Sequence, residues 1–226
     1  HYHALLADLN VSNLDTMPPS LLHQHAHVNL KAALDRGFTS VRDAGGADIG
    51  LVRAVDEGLI KGPRIFHSGK ALSQTGGHGD MRAATHFEPC ACATYHGPIC
   101  VVADGVDEVR KAVREELRKG ATQIKLMVSG GVLSPSDPVW MDQYSEAEIR
   151  AAVEEAATRR TYVMAHAHTA NAARRCVDYG VRSIEHGTLI DLETAEYVAA
   201  SDAYVVPTLS TIHMMKEKGP DLGLQK

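Results

Sequence analysis

A polar helix that ends at a glycine and gives way at once to a β-branched strand recurs along this chain. Arg36-Gly37 leads into FTSVRD, Lys119-Gly120 into ATQIKLMV, and Tyr179-Gly180 into VRSIEH. Glycine just past a helix takes the left-handed C-cap conformation without steric cost, and the run behind it supplies strand residues. TYVMAH at 161–166, AYVVPTL at 203–209 and the shorter RIFHSG at 64–69 continue the series. Strands are therefore predicted at about 38–43, 64–69, 121–128, 161–166, 182–186 and 203–209. Strands that alternate with helices argue for a parallel α/β sheet or barrel.

The helices between them are well marked. Residues 105–119 follow Asp104 as N-cap and place Val106, Val109, Val113 and Leu117 on one apolar stripe. Residues 146–159 follow Ser145, with Glu148 three places on, which is a capping box. Shorter helices are expected at 169–179 and 191–200. The glycines of DAGGADIG, 43–50, do not form the GxGxxG turn of a doubly wound dinucleotide fold. The whole chain, 1–226, thus reads as one (β/α) barrel domain holding units two to seven, with the first and last strands missing. His1 and His3 would follow a strand that precedes the chain.

Two long loops break the rhythm, 70–103 and 129–144, and both follow strands. In a barrel, loops after strands build the active-site face. The second carries the single tryptophan, Trp140, a candidate substrate wall.

Bulk properties exclude little but exclude it clearly. A net charge of -5 gives no basic footprint for nucleic acid. No apolar run reaches the ~18 residues of a membrane span. Cys90 and Cys92 are too close in sequence for usual zinc spacing. The four cysteines read as reduced thiols, which slightly favours a cytoplasmic protein. A loop disulfide and export stay open, because the chain starts at His and not Met.

Thirteen histidines matter here because several fall at strand ends. His1 and His3 are one residue apart, so on an extended segment they point to one side. Lys125, His166 and His186 each close a short apolar run. If those runs are parallel strands, the side chains converge on one site, and imidazole suits zinc, copper, iron or nickel. Lys125 sits in a core run, where burial lowers a lysine's pKa. It is either paired to an acid inside the barrel or a neutral amine that takes up carbon dioxide. The resulting carbamate would bridge two metals. His168 shares a strand face with His166. His23, His25 and His27 look like a metal cluster, but a non-catalytic helix or loop position is expected.

HYH, TSVRDAGG, SQTGGHGD, QIKLMVSGG, AHAH and SIEHG, in that order, resemble the amidohydrolase superfamily. The nearest branch is the imidazolonepropionase-like group, with its Xaa-Pro dipeptidases (prolidases) and carboxypeptidases. The resemblance implies a TIM-type barrel, a binuclear centre, usually zinc, and amide hydrolysis. It implies that His1 and His3 hold one metal, His166 and His186 the other, and carboxylated Lys125 both. His78 and His168 would lie near a small-molecule or dipeptide substrate, and Arg82 is a candidate for its carboxylate. Members also have a strand-eight Asp and a small β-sandwich, neither of which has a match here. Rival readings are a hydrolase of cyclic amides, lactones or organophosphate esters, and a truncated, non-catalytic chain. The latter's open strand edges would invite homo-oligomers.

Overall fold

The computed structural model describes residues 1–8, 10–86, 97–134 and 136–219. Helices α1 (Pro19–Asp35), α2 (Ile49–Asp56), α3 (Gly105–Arg118), α4 (Glu146–Thr158), α5 (Ala170–Asp178), α6 (Leu192–Ala199) and α7 (Leu209–Lys218) alternate with short strands. The expected glycine caps form. Gly37, Gly120 and Gly180 take φ of 92°, 96° and 87° after α1, α3 and α5. The next amide then reaches back to Ala33, Glu116 or Cys176, closing each helix. Arg160 does the same after α4 at φ 54°, where no glycine stands. Ser145 and Glu148 form the predicted capping box of α4. Asp104 caps α3 by position only, because its carboxylate accepts from Thr75 N and Oγ1 at 2.9 and 2.6 Å.

Strands β1 (Ser40–Asp43) and β2 (Arg64–His67) pair in parallel. β3 (Ala71–Ser73), β4 (Cys100–Val102), β5 (Ile124–Met127), β6 (Val163–Thr169), β7 (Ser183–Leu189) and β8 (Tyr204–Val206) form a second sheet, ordered β4-β3-β5-β6-β7-β8. Its pairings are parallel as well. Thr122 N donates to His67 O at 2.8 Å, joining the two sheets. Tyr2 bridges to Asp43 in parallel, which gives the His1–His3 segment the expected strand position.

The 70–103 segment departs from its reading as one loop. It carries β3 and β4, three residues each, paired to one another, with β3 also paired to β5. Such short strands are stabilised by neighbours and leave no period in the sequence. β6 and β7 run three residues past their predicted ends, through AHAHT and SIEHGTL. His23, His25 and His27 lie in α1, as one of the two expectations had it. Among the described residues no helix is long and apolar enough to cross a membrane. Cys100 and Cys176 are buried free thiols, whereas Cys90 and Cys92 lie outside the described residues.

Side chains alternate across the wall. Ile124, Leu126, Val128, Val163, Ala165, Ala167 and Ile184 pack with α3–α6 in one apolar layer. Lys125, His166, His168 and Glu185 therefore face the other way, into the barrel, and all are buried.

Candidate metal centre

His1 and His3 meet at the mouth, Nε2 to Nε2, at 3.1 Å. Each ring's other nitrogen is already occupied by an acceptor. His1 Nδ1 lies 2.6 Å from Glu185 Oε2, and His3 Nδ1 lies 3.0 Å from Gly45 O. A carboxylate and a carbonyl only accept, so both protons belong on Nδ1. Two lone pairs then face one another. Nitrogens bound at ~2.0–2.1 Å to a tetrahedral cation stand roughly 3.3 Å apart, so this donor pair fits such an ion.

The segment is fixed by Asp43 at the end of β1. Its fully buried carboxylate accepts from Ala4 N at 2.7 Å, Gly45 N at 3.0 Å and Ala47 N at 3.2 Å. Burial nevertheless pushes its pKa up to about 6, against those hydrogen bonds.

Across the mouth, one nitrogen each of His166, His168 and His186 lie within 4.8 Å of one another. His166 Nε2 donates to Gly130 O at 3.1 Å, which leaves its Nδ1 for a ligand. His186 would follow Ile184 outward by alternation, but φ of 78° turns it back to the mouth. Its Nδ1 lies 2.8 Å from Thr208 Oγ1. A side chain in that conformation costs ~1–3 kcal/mol, and such strain gathers at functional sites. The expected ligand pair His166 and His186 is thus joined by His168, whose Nδ1 lies 3.0 Å from Thr188 Oγ1.

Burial holds these rings neutral. It pushes His3 and His168 down to about 4, His186 to about 2, and His166 well below the ordinary value. Neutral imidazole is the ligand form. Lys125 is 1% exposed, with no carboxylate at ion-pair distance among the described residues. Burial lowers it to about 8, while Glu185 pulls the other way.

His78 stacks on His166 with ring centroids 4.1 Å apart. Its Nδ1 lies 3.1 Å from Asp137 Oδ2. Buried Gln143 accepts from His78 N at 2.9 Å and donates to Asp137 at 3.2 Å, joining the two long loops. Arg82 forks onto Asp80, with Nε and a terminal nitrogen each at 2.7 Å. Trp140 is 76% exposed on the second loop. Sequence reasoning passed over Glu185, Arg42, Asp43, Asp137 and Gln143. The E of SIEHG stood beside His186, already singled out, and the RD of TSVRDAGG lay within a motif of the resemblance.

The model of the amidohydrolase family matches residues 1–225. Ochratoxinase of Aspergillus niger is 39% identical over 191 residues, 80% of this chain and 40% of its own length. A prolidase complexed with N-methylphosphonate-L-proline superposes with a TM-score of 0.93 at 54% identity, over 100% of this chain and 55% of its own. A Xaa-Pro dipeptidase with methionine bound in its active site gives 0.78 at 34%, over 89% and 50%. This chain spans about half the length of these relatives. With them, its parallel wall is the TIM-type (β/α) fold.

Proposed function

We propose, for a chain that belongs to the amidohydrolase family, hydrolysis of an amide or peptide bond in a small substrate by an enzyme holding two divalent cations. The opposed Nε2 atoms of His1 and His3, 3.1 Å apart beside buried Lys125, carry this reading. His1 and His3 would hold one ion, His166 and His186 the other. Nitrogen donors of this kind suit zinc. Such a cation polarises a substrate carbonyl and brings the pKa of a bound water near neutrality.

The chain's own residues do the rest. Lys125, its pKa lowered to about 8, has a neutral fraction able to combine with carbon dioxide, losing a proton, and the resulting carbamate would offer oxygen donors to the ions. The neutral rings leave their lone pairs free for metal. His78 is held at Nδ1 by Ser134 and Asp137, at 2.7 and 3.1 Å, so its Nε2 is left to hydrogen-bond substrate. His168 stands beside it, as ligand or substrate contact, and Trp140 offers a side wall. The names prolidase and Xaa-Pro dipeptidase favour dipeptides ending in proline, and ochratoxinase adds ochratoxin to the panel. Neither nucleic acid nor membrane enters this reading.

Elemental analysis of untagged protein, with Lys125→Ala alongside, tests it. About two zinc ions per chain, lost in the variant, is the expected result, together with cleavage within a Xaa-Pro, N-acyl amino acid and ochratoxin panel. Folded wild-type protein with no metal above background would sink the reading.

A further inference from the structure

Glu185 has the geometry of a brace. Its side chain is fully buried in the barrel wall, one residue before His186. Its two oxygens have different partners. Oε1 accepts from Arg42 at 2.6 Å and from Ser183 Oγ at 2.6 Å, and Arg42 also donates to Ser183 Oγ at 2.9 Å. Oε2 meets His1 Nδ1 at 2.6 Å. One oxygen is anchored to the wall and the other is left for the ring.

A buried ion pair is weak evidence of stabilisation, since an apolar pair of similar volume is often as stable. Charge balance alone would need only Arg42 and Glu185. It would not need an oxygen aimed at a histidine 184 positions away in sequence. The pair also spans β1 and β7, which share no ladder. Arg42 O accepts from Tyr2 N at 2.9 Å, so the same residue holds the backbone between His1 and His3.

We infer that Glu185 is the positioning residue of His1, with Arg42 and Ser183 as its anchor. It keeps the ring proton on Nδ1 and turns the Nε2 lone pair toward His3. This rests on the reading of His1 as a metal ligand. Carboxylate partners of ligating histidines set their tautomer and orientation, and losing one typically lowers metal affinity ~10–100-fold.

The test is zinc affinity of the full chain by chelator competition, with the visible spectrum of the cobalt-loaded protein as second readout. Glu185→Gln should weaken one of two ions about 10–100-fold and alter the cobalt bands, while the other ion keeps its affinity. This variant leaves the partly buried charge of Arg42 without its carboxylate and threatens the fold. Glu185→Gln/Arg42→Met removes that charge, and the metal defect should persist in it. If the double variant binds both ions with wild-type affinity and spectrum, Glu185 only balances Arg42 and the inference is overturned. Wild-type protein that binds no zinc overturns the functional reading as well, and the wild-type arm alone separates the two failures.

Discussion

Gly131 is where a single methyl group would reach the candidate centre. A Cβ built at 131 stands 2.0 Å from His78 Cε1, 2.4 Å from Nδ1 and 2.6 Å from Nε2. Ordinary contact begins at 3.4 Å, so the ring must retreat by about 1.4 Å, the difference between 3.4 and 2.0. Gly131 is outside the left-handed region, so its backbone accepts alanine without strain of its own. The cost therefore lies in the ring. Overpacking costs ~1–3 kcal/mol. Loss of the 3.1 Å bond to Asp137 costs ~1.5–3 kcal/mol more if the carboxylate stays charged. A total near 4 kcal/mol lowers Tm by roughly 8–16 °C in a chain of this size. A ring displaced by more than 1 Å from the substrate side should also cost turnover on the order of 10²-fold. The assay is thermal denaturation of Gly131→Ala in wild-type and His78→Ala backgrounds. With the ring gone, the methyl group has room and its cost should fall below ~0.5 kcal/mol, because the two changes share one contact. Equal destabilisation in both backgrounds would refute the argument, since the clash would then lie elsewhere.

Other outcomes follow from the same geometry. Ser145→Ala removes the capping box of α4 and should cost ~1 kcal/mol by urea denaturation, with m unchanged. Metal-free protein should lose stability as pH falls below about 6.5. Between 6.5 and 4 the unfolded chain protonates histidines that the fold keeps neutral, His3, His166, His168 and His186. Asp43, raised to about 6, opposes this weakly over the same range. A stability that rises toward pH 4 in acid titrations would contradict the burial of these rings. Zinc at ~100 times its Kd should add ~2.7 kcal/mol, seen as a higher Tm that chelation reverses. A Tm indifferent to zinc would remove the metal reading.

Much of this protein was legible because its signals are local. Gly37, Gly120 and Gly180 mark helix ends, since only a residue free of Cβ enters the left-handed region cheaply. Ser145 and Glu148 announce a helix start within four residues. Lys125 in QIKLMV and the histidines of AHAH stand out because strand alternation sends them one way and their apolar neighbours the other, and the histidine of SIEHG because it closes a short apolar run. These features determined a parallel α/β wall and the strand ends that bear its imidazoles.

Tertiary structure decided what depends on distant partners. β3 and β4 exist because Leu72 lies beside Leu126 and Val101, and no three-residue run announces that. His168 joined His166 and His186 only when the β6–β7 register shift and the left-handed turn at His186 brought three rings together. Glu185, Arg42, Asp137 and Gln143 looked like ordinary polar residues. Their contacts to His1, His78 and the wall span tens to nearly two hundred positions. A sequence encodes propensity over a few neighbouring residues, whereas convergence at the mouth of a barrel is set by the register and curvature of the whole wall.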